Sequence, residues 1–309
     1  MHLLLPFAAP LADAGRDALR SLALPELRAL LAASNEVARD EGDELSFSPP
    51  HERALALALG FSGSDGRWPW AAWLAAADGI AIGDAAWGLV TPAHWHLGTD
   101  QVSLLDPALL MLDDAGSRAL FGAVQELFTS EGFVTHYGAP QRWYVAHPSL
   151  ATLRCASLDR VIGRNVDRWL TEDAAVRLIR RLQNEVQMLL YTHPINDGRE
   201  AQGLLPVNSF WLSGCGVAQP ASGSAPQVEQ RLRGPALADD WAAWMKAWDV
   251  LDAGPIAALR AAAQHGEAVR LTLCGERSSA TFESRAGGAW QRLLSMLNRS
   301  EPAALLETL

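Results

Sequence analysis

Apolar and polar positions along the chain alternate between short apolar runs and longer stretches of helical periodicity. Leu3 to Phe7 is a compact apolar run beside prolines and predicts a buried strand. Helical spacing follows in "DAGRDALRSLA" and "LPELRALLAAS", the second with Pro25 suited to a first helical turn. "SPPHERALALALGF" predicts a helix started by proline and ended by Gly60, and "GRWPWAAWLAAADG" a second apolar helix. "AWGLV" and "QVSLL" read as strands separated by "TPAHWHLGTD", "SRALFGAVQELFTSEGF" as an amphipathic helix and "RWYVAH" as a strand. "TEDAAVRLIRRLQNEVQMLLYTH" opens on Thr171, Glu172 and Asp173 and keeps apolar residues at helical spacing for about six turns.

That helix delivers the chain into "YTHPINDGREAQGLLPVNSFWLSGCG", residues 191–216, which no single helix or strand accommodates. Pro194 is expected to end the long helix, Asn196, Asp197 and Gly198 to form a turn, and Gly203 to break a short helical turn bearing Arg199 before "PVNSFWL" extends. Such a path would present His193, Arg199 and the amides near Gly214 and Gly216 to an anion, because guanidinium forks and free N–H groups suit phosphate oxygens. The competing reading has His193, Asn196 and Asn208 cap and pin an irregular buried crossing. Spacing alone does not separate the two. Beyond Gly216, "VAQPASGSAPQ" reads as a linker, "DDWAAWMKAWDVLDAGPIAALRAAAQHG" as helical, "AVRLTLCGE" as a strand and "AWQRLLSMLNR" as a closing helix. Alternating helices and strands at both ends of the chain argue an α/β sheet covered on both faces.

Composition narrows the function classes. With 309 residues, 49% hydrophobic and 19% charged, the chain suits one large or two modest globular domains. Its net charge of −10 and lack of any basic run exclude nucleic acid as an expected partner. Lys246 is the one lysine among 25 basic residues, so a Schiff-base lysine has almost no candidate, and the abundance of Ala and Arg points to a GC-rich bacterial genome. Cys155, Cys215 and Cys274 are odd in number and lack zinc spacing, which suits a reducing compartment. The opening "MHLLLPFAAPLADAG" has no Lys or Arg before its apolar run, and no stretch has the length of a membrane span. A cytoplasmic protein with no membrane partner is expected.

Two residue groups carry candidate chemistry outside the 191–216 stretch. His94 and His96 in "HWH" would share one face of an extended strand and could begin a metal site, though no third ligand is evident nearby, so no metal is assigned. Trp241, Trp244 and Trp248 lie on one helical face, with Trp68, Trp70 and Trp73 earlier; they read as core or interface packing, or as an aromatic ligand platform. The common nucleophile and phosphate-loop motifs are missing, and "HERAL" at His51 is not H-E-x-x-H because its fifth residue is Leu55.

"HPINDGREAQGLLPVNSFWLSGCG" resembles the H-P-x-N-x-x-R-x-x-x-G-L-x-P-x-N-x-x-x-x-x-G-x-G stretch of archaeal-type cofactor-independent phosphoglycerate mutases, of the alkaline phosphatase superfamily. The chain as a whole, with "HWH", "LLPVNSFWLSG" and "RLTLCGE", is similar to the RpfE-type bacterial regulatory proteins. The resemblance implies an α/β fold with an alkaline-phosphatase-like core sheet flanked by helices, formed by residues 1–83 and 200–309, around an inserted α/β domain at 84–199. It also implies a ligand-facing loop carrying His193, Asn196, Arg199, Asn208, Gly214 and Gly216. The departures concern chemistry. The mutases place a metal-binding Asp at the end of the first core strand, where this chain runs through Pro6 and Phe7. Their nucleophilic Ser corresponds to His51, and their late Asp-His metal pair to Cys274, Gly275 and Glu276. Without these groups the two-metal clamp on a transferring phosphoryl group does not assemble. The expectation is a binding or regulatory protein without cofactor, its ligand a small phosphorylated or anionic metabolite. The alternatives are an active mutase or phosphatase with relocated groups, His51 among them, and a protein-interaction module using the tryptophan-rich helices.

Overall fold

The computed structural model describes residues 1–99, 101–170, 174–284 and 301–309. Its strands are β1 (His2–Ala9), β2 (Ser34–Asp40), β3 (Ala86–Ala93), β4 (Trp95–Leu97), β5 (Val102–Leu104), β6 (Val134–Ala139), β7 (Arg142–Ala146), β8 (Ser209–Val217), β9 (Gln227–Val228), β10 (Arg270–Gly275) and β11 (Ser279–Ser284). The described chain divides into two compact units, one of Met1–Leu45, Pro49–Gly60 and Ala221–Leu309, the other of Ser46–Ser48 and Phe61–Pro220.

The first unit holds a sheet of order β2-β11-β10-β1-β9, in which β1 runs parallel to β10 and β9 while β11 is antiparallel to β10 and β2. β1 reads as an apolar run because both its faces are covered. Leu3 and Leu5 join Leu19, Leu27, Leu30, Trp244 and Trp248 in the core, and Leu4, facing the other way, is fully buried too. The helix Pro50–Leu59 lies against β1 and β10 and ends, as expected, at Gly60 with φ +75°. β2, with sequence SNEVARD, is an exposed edge held by its ladder to β11 and has no apolar alternation to mark it.

In the second unit a wholly antiparallel sheet of order β6-β7-β3-β8 is flanked by helices on both faces, beside a β4-β5 hairpin. The helix Trp70–Ala77 buries Ala71, Ala72 and Ala75 against Trp87, Tyr144 and Ala146. Helices Asp114–Ser130 and Ala174–Tyr191 cover the other face, placing Val124, Phe128, Ile179 and Val186 with Val90, Val145 and Phe210. Because Trp70–Ala77 packs on this sheet and β8 pairs with β3, the unit extends past the 83/84 and 199/200 boundaries drawn from the sequence. The mixed α/β architecture with helix-flanked sheets is as expected. The predicted helix in "AWQRLLSMLNR" and the opening Thr171, Glu172 and Asp173 lie outside the described residues. Among the described residues no helix is long and apolar enough to cross a membrane.

The tryptophans follow the core-packing reading in part: Trp244 and Trp248 are wholly buried and pack edge-to-face at 6.1 Å, Trp68 and Trp70 are buried as well, and Trp73 and Trp241 are partly exposed. The helix Pro25–Ala32 shows another long-range dependence. Its own N-cap residue, Leu24, is left-handed and offers no side-chain cap. The Asp252 carboxylate supplies one instead, accepting from Leu27 N at 2.8 Å and Glu26 N at 3.1 Å. Burial raises the carboxyl pKa of Asp252 while these two amides oppose the rise. Asp252→Ala is expected to cost about 1–3 kcal/mol, the range for a lost buried acceptor and cap, measurable as a lower urea midpoint.

A second expectation concerns pH. His2 Nε2 lies 2.9 Å from Thr272 Oγ1, and burial, then the Arg270 guanidinium, pushes the imidazole down from 6.5 to about 4. Between those values the unfolded chain binds a proton that the folded one does not, so stability falls as pH drops through that window. Partial exposure of the ring makes the slope shallower than for a fully buried histidine. Chemical denaturation at pH 7 and pH 4.5 is expected to give a smaller difference in His2→Gln than in the parent chain.

Candidate functional site

In the first unit the carboxyl ends of the parallel strands β1 and β10 are where an α/β sheet ordinarily places a ligand. The β1–β10 register shifts between Leu5 and Ala9, and within that break Phe7 adopts φ +56°, a left-handed backbone rare for a bulky side chain. The Phe7 carbonyl is fixed by the Trp244 indole N–H at 3.0 Å, and the Phe7 ring sits 5.2 Å from the His51 ring. His51, at the second position of the helix Pro50–Leu59, is thus packed beside an aromatic ring. Two residues on, the largely buried Arg53 donates to Asp40 Oδ2 at 2.6 Å and to the Arg277 carbonyl at 2.9 Å. Glu276 accepts from Leu11 N at 2.9 Å. At the end of β10 Gly275 lies so close to Leu309 that a Cβ there would approach the Leu309 carbonyl carbon to 2.5 Å. The Leu309 oxygen in turn accepts from Arg277 N and Ser278 N at 3.1 and 2.8 Å. Burial pushes the Cys274 thiol up, so it is a packing residue at neutral pH. Neither Arg53 nor Asp40 stands in a motif, and no signal in the sequence marked them.

The 191–216 stretch belongs to the second unit. Its path differs from the expected one: the long helix ends at Tyr191, and Pro194 opens a new helix, Pro194–Ala201, at its first position. Asn196, Asp197 and Gly198 therefore lie within a helix and not in a turn. His193 is its N-cap, Nδ1 accepting from Ile195 N at 3.3 Å. Asn196, 5% exposed, donates to Leu190 O at 2.9 Å and Val207 O at 2.8 Å and accepts from Val207 N at 2.9 Å. Arg199, 8% exposed, donates through Nε to Leu205 O at 2.9 Å and through its guanidinium to Leu110 O. Burial lowers its pKa and the charge of Asp113 partly opposes this. Asn208 meets the Trp95 backbone at two points, accepting from its N–H at 2.7 Å and donating to its carbonyl at 2.9 Å.

The two glycines have steric reasons. Gly214 has φ +64°, and a Cβ there would lie 2.9 Å from Ala71 N and from Trp70 Cβ, where the helix Trp70–Ala77 meets β8. A Cβ on Gly216 would come within 3.1 Å of Pro69 Cβ. His94 and His96 do not share a strand face: His94 falls between β3 and β4 and donates from Nδ1 to the Pro206 carbonyl at 2.8 Å, while His96 is exposed on β4. Among the described residues no group of three or more His, Cys, Asp and Glu side chains is placed to hold a metal ion.

No protein-family model matches the chain, and no curated protein matches it. Several solved structures are similar to it, two of which follow. One is a cofactor-independent phosphoglycerate mutase from Thermoplasma acidophilum, at 14% identity and a TM-score of 0.38, covering 93% of this chain and 90% of that one. The other is the PH0037 protein from Pyrococcus horikoshii, at 13% identity and a TM-score of 0.45, covering 95% and 92%.

The geometry around Arg199 yields a stability prediction. Arg199→Ala removes the donor from two backbone acceptors in a buried setting, each worth about 1–3 kcal/mol when left unmade. A loss on the order of 3 kcal/mol is expected in urea or thermal unfolding, with Arg199→Lys restoring only part because an ammonium does not reproduce the fork. An unchanged melting temperature in Arg199→Ala would count against this assignment.

Proposed function

We propose that the chain is a cytoplasmic binding or regulatory protein built on a phosphoglycerate-mutase-like α/β frame, of the kind the RpfE-type regulatory proteins represent, and not a metal-dependent mutase. The observation that carries this reading is the chemistry at the carboxyl ends of β1 and β10. The mutase resemblance implies two divalent metals there, yet the residues present do not fit them: Phe7 and Gly275 offer no ligand, and Asp40 pairs with Arg53. His51 packs against Phe7 and Glu276 accepts a backbone N–H. These side chains pair with one another or with backbone, and among the described residues no three or more His, Cys, Asp and Glu side chains gather as a two-metal site requires.

The test is turnover and metal content together. Purified protein supplied with Mn²⁺, Mg²⁺ or Zn²⁺ is expected to show no interconversion of 2- and 3-phosphoglycerate and no phosphatase activity, and to carry no stoichiometric metal after dialysis. Turnover that depends on metal and is lost in His51→Ala would overturn the proposal. Titration calorimetry with 3-phosphoglycerate and related phosphorylated metabolites separates a metabolite-binding role from a partner-binding one.

A further inference from the structure

The three cysteines are free thiols, and two of them, sixty residues apart in sequence, meet in the second unit. The Cys155 thiol points at Cys215 Sγ with 3.3 Å between the sulfurs. Neither approach is accidental to a loose segment. Cys155 N donates to Gly66 O at 2.9 Å, Ser157 N to Phe47 O at 2.9 Å, and the buried Trp211 indole to Ala156 O at 2.9 Å, so the backbone on both sides of Cys155 is pinned. Cys215 is 1% exposed within β8, whose register against β3 fixes its direction. A cavity of about 20 Å³, lined by Cys155, Trp169, Gln183 and Trp211 among others, borders the Cys155 side chain. Closing 3.3 Å to a disulfide bond of about 2.0 Å is a side-chain movement of roughly 1.3 Å.

We propose that Cys155 and Cys215 form a redox-reactive dithiol site that a low-molecular-weight disulfide, such as oxidised glutathione, converts to an intramolecular disulfide. Cys155 is half-buried and Cys215 enclosed, so the attack falls to Cys155. Burial holds the Cys215 thiol well above its ordinary range, so Cys215 is not the first thiol to react. In the first step the Cys155 thiolate attacks one sulfur of the glutathione disulfide; that S–S bond breaks, a mixed disulfide forms and one glutathione thiolate leaves. In the second the Cys215 thiol attacks Cys155 Sγ, the mixed S–S bond breaks, and the Cys215 proton passes to the departing sulfur, so the second glutathione leaves as thiol. Two protein thiols are oxidised and one glutathione disulfide is reduced. The product ties the 151–157 segment to β8. Cys274, wholly buried in β10 of the first unit, has no sulfur partner among the described residues and serves as an internal control.

The experiment uses the full chain, reduced, freed of reductant, exposed to oxidised glutathione, unfolded in acid and treated with a thiol-blocking maleimide. Intact mass is expected to show a monomer lighter by two hydrogens with a single blocked thiol, and a non-reducing peptide map to join Cys155 to Cys215; dithiothreitol reverses both. In Cys215→Ser the glutathione adduct is expected to stay on Cys155, with a lifetime longer than in the parent chain by at least about tenfold. Three blockable thiols after treatment, a stable glutathione adduct on the parent Cys155, or a disulfide between two copies of the chain would each overturn the proposal. The parent chain alone decides between these outcomes, so a Cys215→Ser protein that fails to fold does not remove the test.

Discussion

The architecture of the second unit depends on the Asn196 carboxamide. Its NH₂ group holds the Leu190 carbonyl near the end of the helix Ala174–Tyr191 and the Val207 carbonyl before β8, while its oxygen takes the Val207 N–H. A buried primary amide has two donors and an acceptor, and here all are matched to backbone. The consequence is positional: the helix that supplies Ile179, Leu182 and Val186 to the core is fixed relative to the strand that carries Phe210 and Leu212 into the same core. Asn208 repeats the device one residue past Val207 against Trp95, extending β8 toward the β4-β5 hairpin by a side chain acting as a strand would. Arg199 adds a third side-chain-to-backbone tie from the same short helix.

The first unit uses the same kind of tie for a different problem. A parallel strand pair has to end, and β1 ends through a register break in which Phe7 takes a left-handed backbone, at a cost of about 1–2 kcal/mol for a residue with a Cβ. The Trp244 indole accounts for its persistence: it donates to the Phe7 carbonyl from a wholly buried ring, and moving Phe7 back into regular strand geometry would orphan that N–H. Asp252, four residues beyond Trp248 in the same run of helix, caps Pro25–Ala32. One helical segment therefore fixes both the end of the first strand and the start of the second helix.

What the sequence made legible follows from where the physics is local. Helices such as Asp114–Ser130 and Pro50–Leu59 are marked by apolar spacing and by their ends, Asp113 capping the first at Gly116 N and Gly60 terminating the second. β1, β3 and β7 are marked by burial on both faces or along most of their length. β2 and β6 were not legible because their exposed or half-exposed positions carry no alternation, and their pairing comes from partners distant in sequence. Pro194 misled for a local reason: proline stops one helix and starts another with equal ease, and only the His193 cap, a bond from one side chain to Ile195 N, decides which. The meeting of Cys155 with Cys215 is set by the strand register and by the loop anchored on Gly66, so no spacing rule in the sequence foretells it.

The same reasoning applies to the whole of the 191–216 stretch. A pattern of His, Pro, Asn, Arg and Gly at fixed offsets specifies a backbone path: proline at a first helical position, glycines at φ +72° and +64°, amides and a guanidinium bonded to carbonyls. Asn196, Arg199 and Asn208 each bond to backbone within the fold. In this chain the strand-end positions carry Phe7, Gly275 and the Arg53–Asp40 pair, whose bonds point at one another and at backbone. The side chains that fix the 191–216 path reach backbone both nearby, as Arg199 does at Leu205, and far along the chain, as Arg199 does at Leu110 and Asn208 at Trp95, so only the nearby part of their work is legible in the sequence.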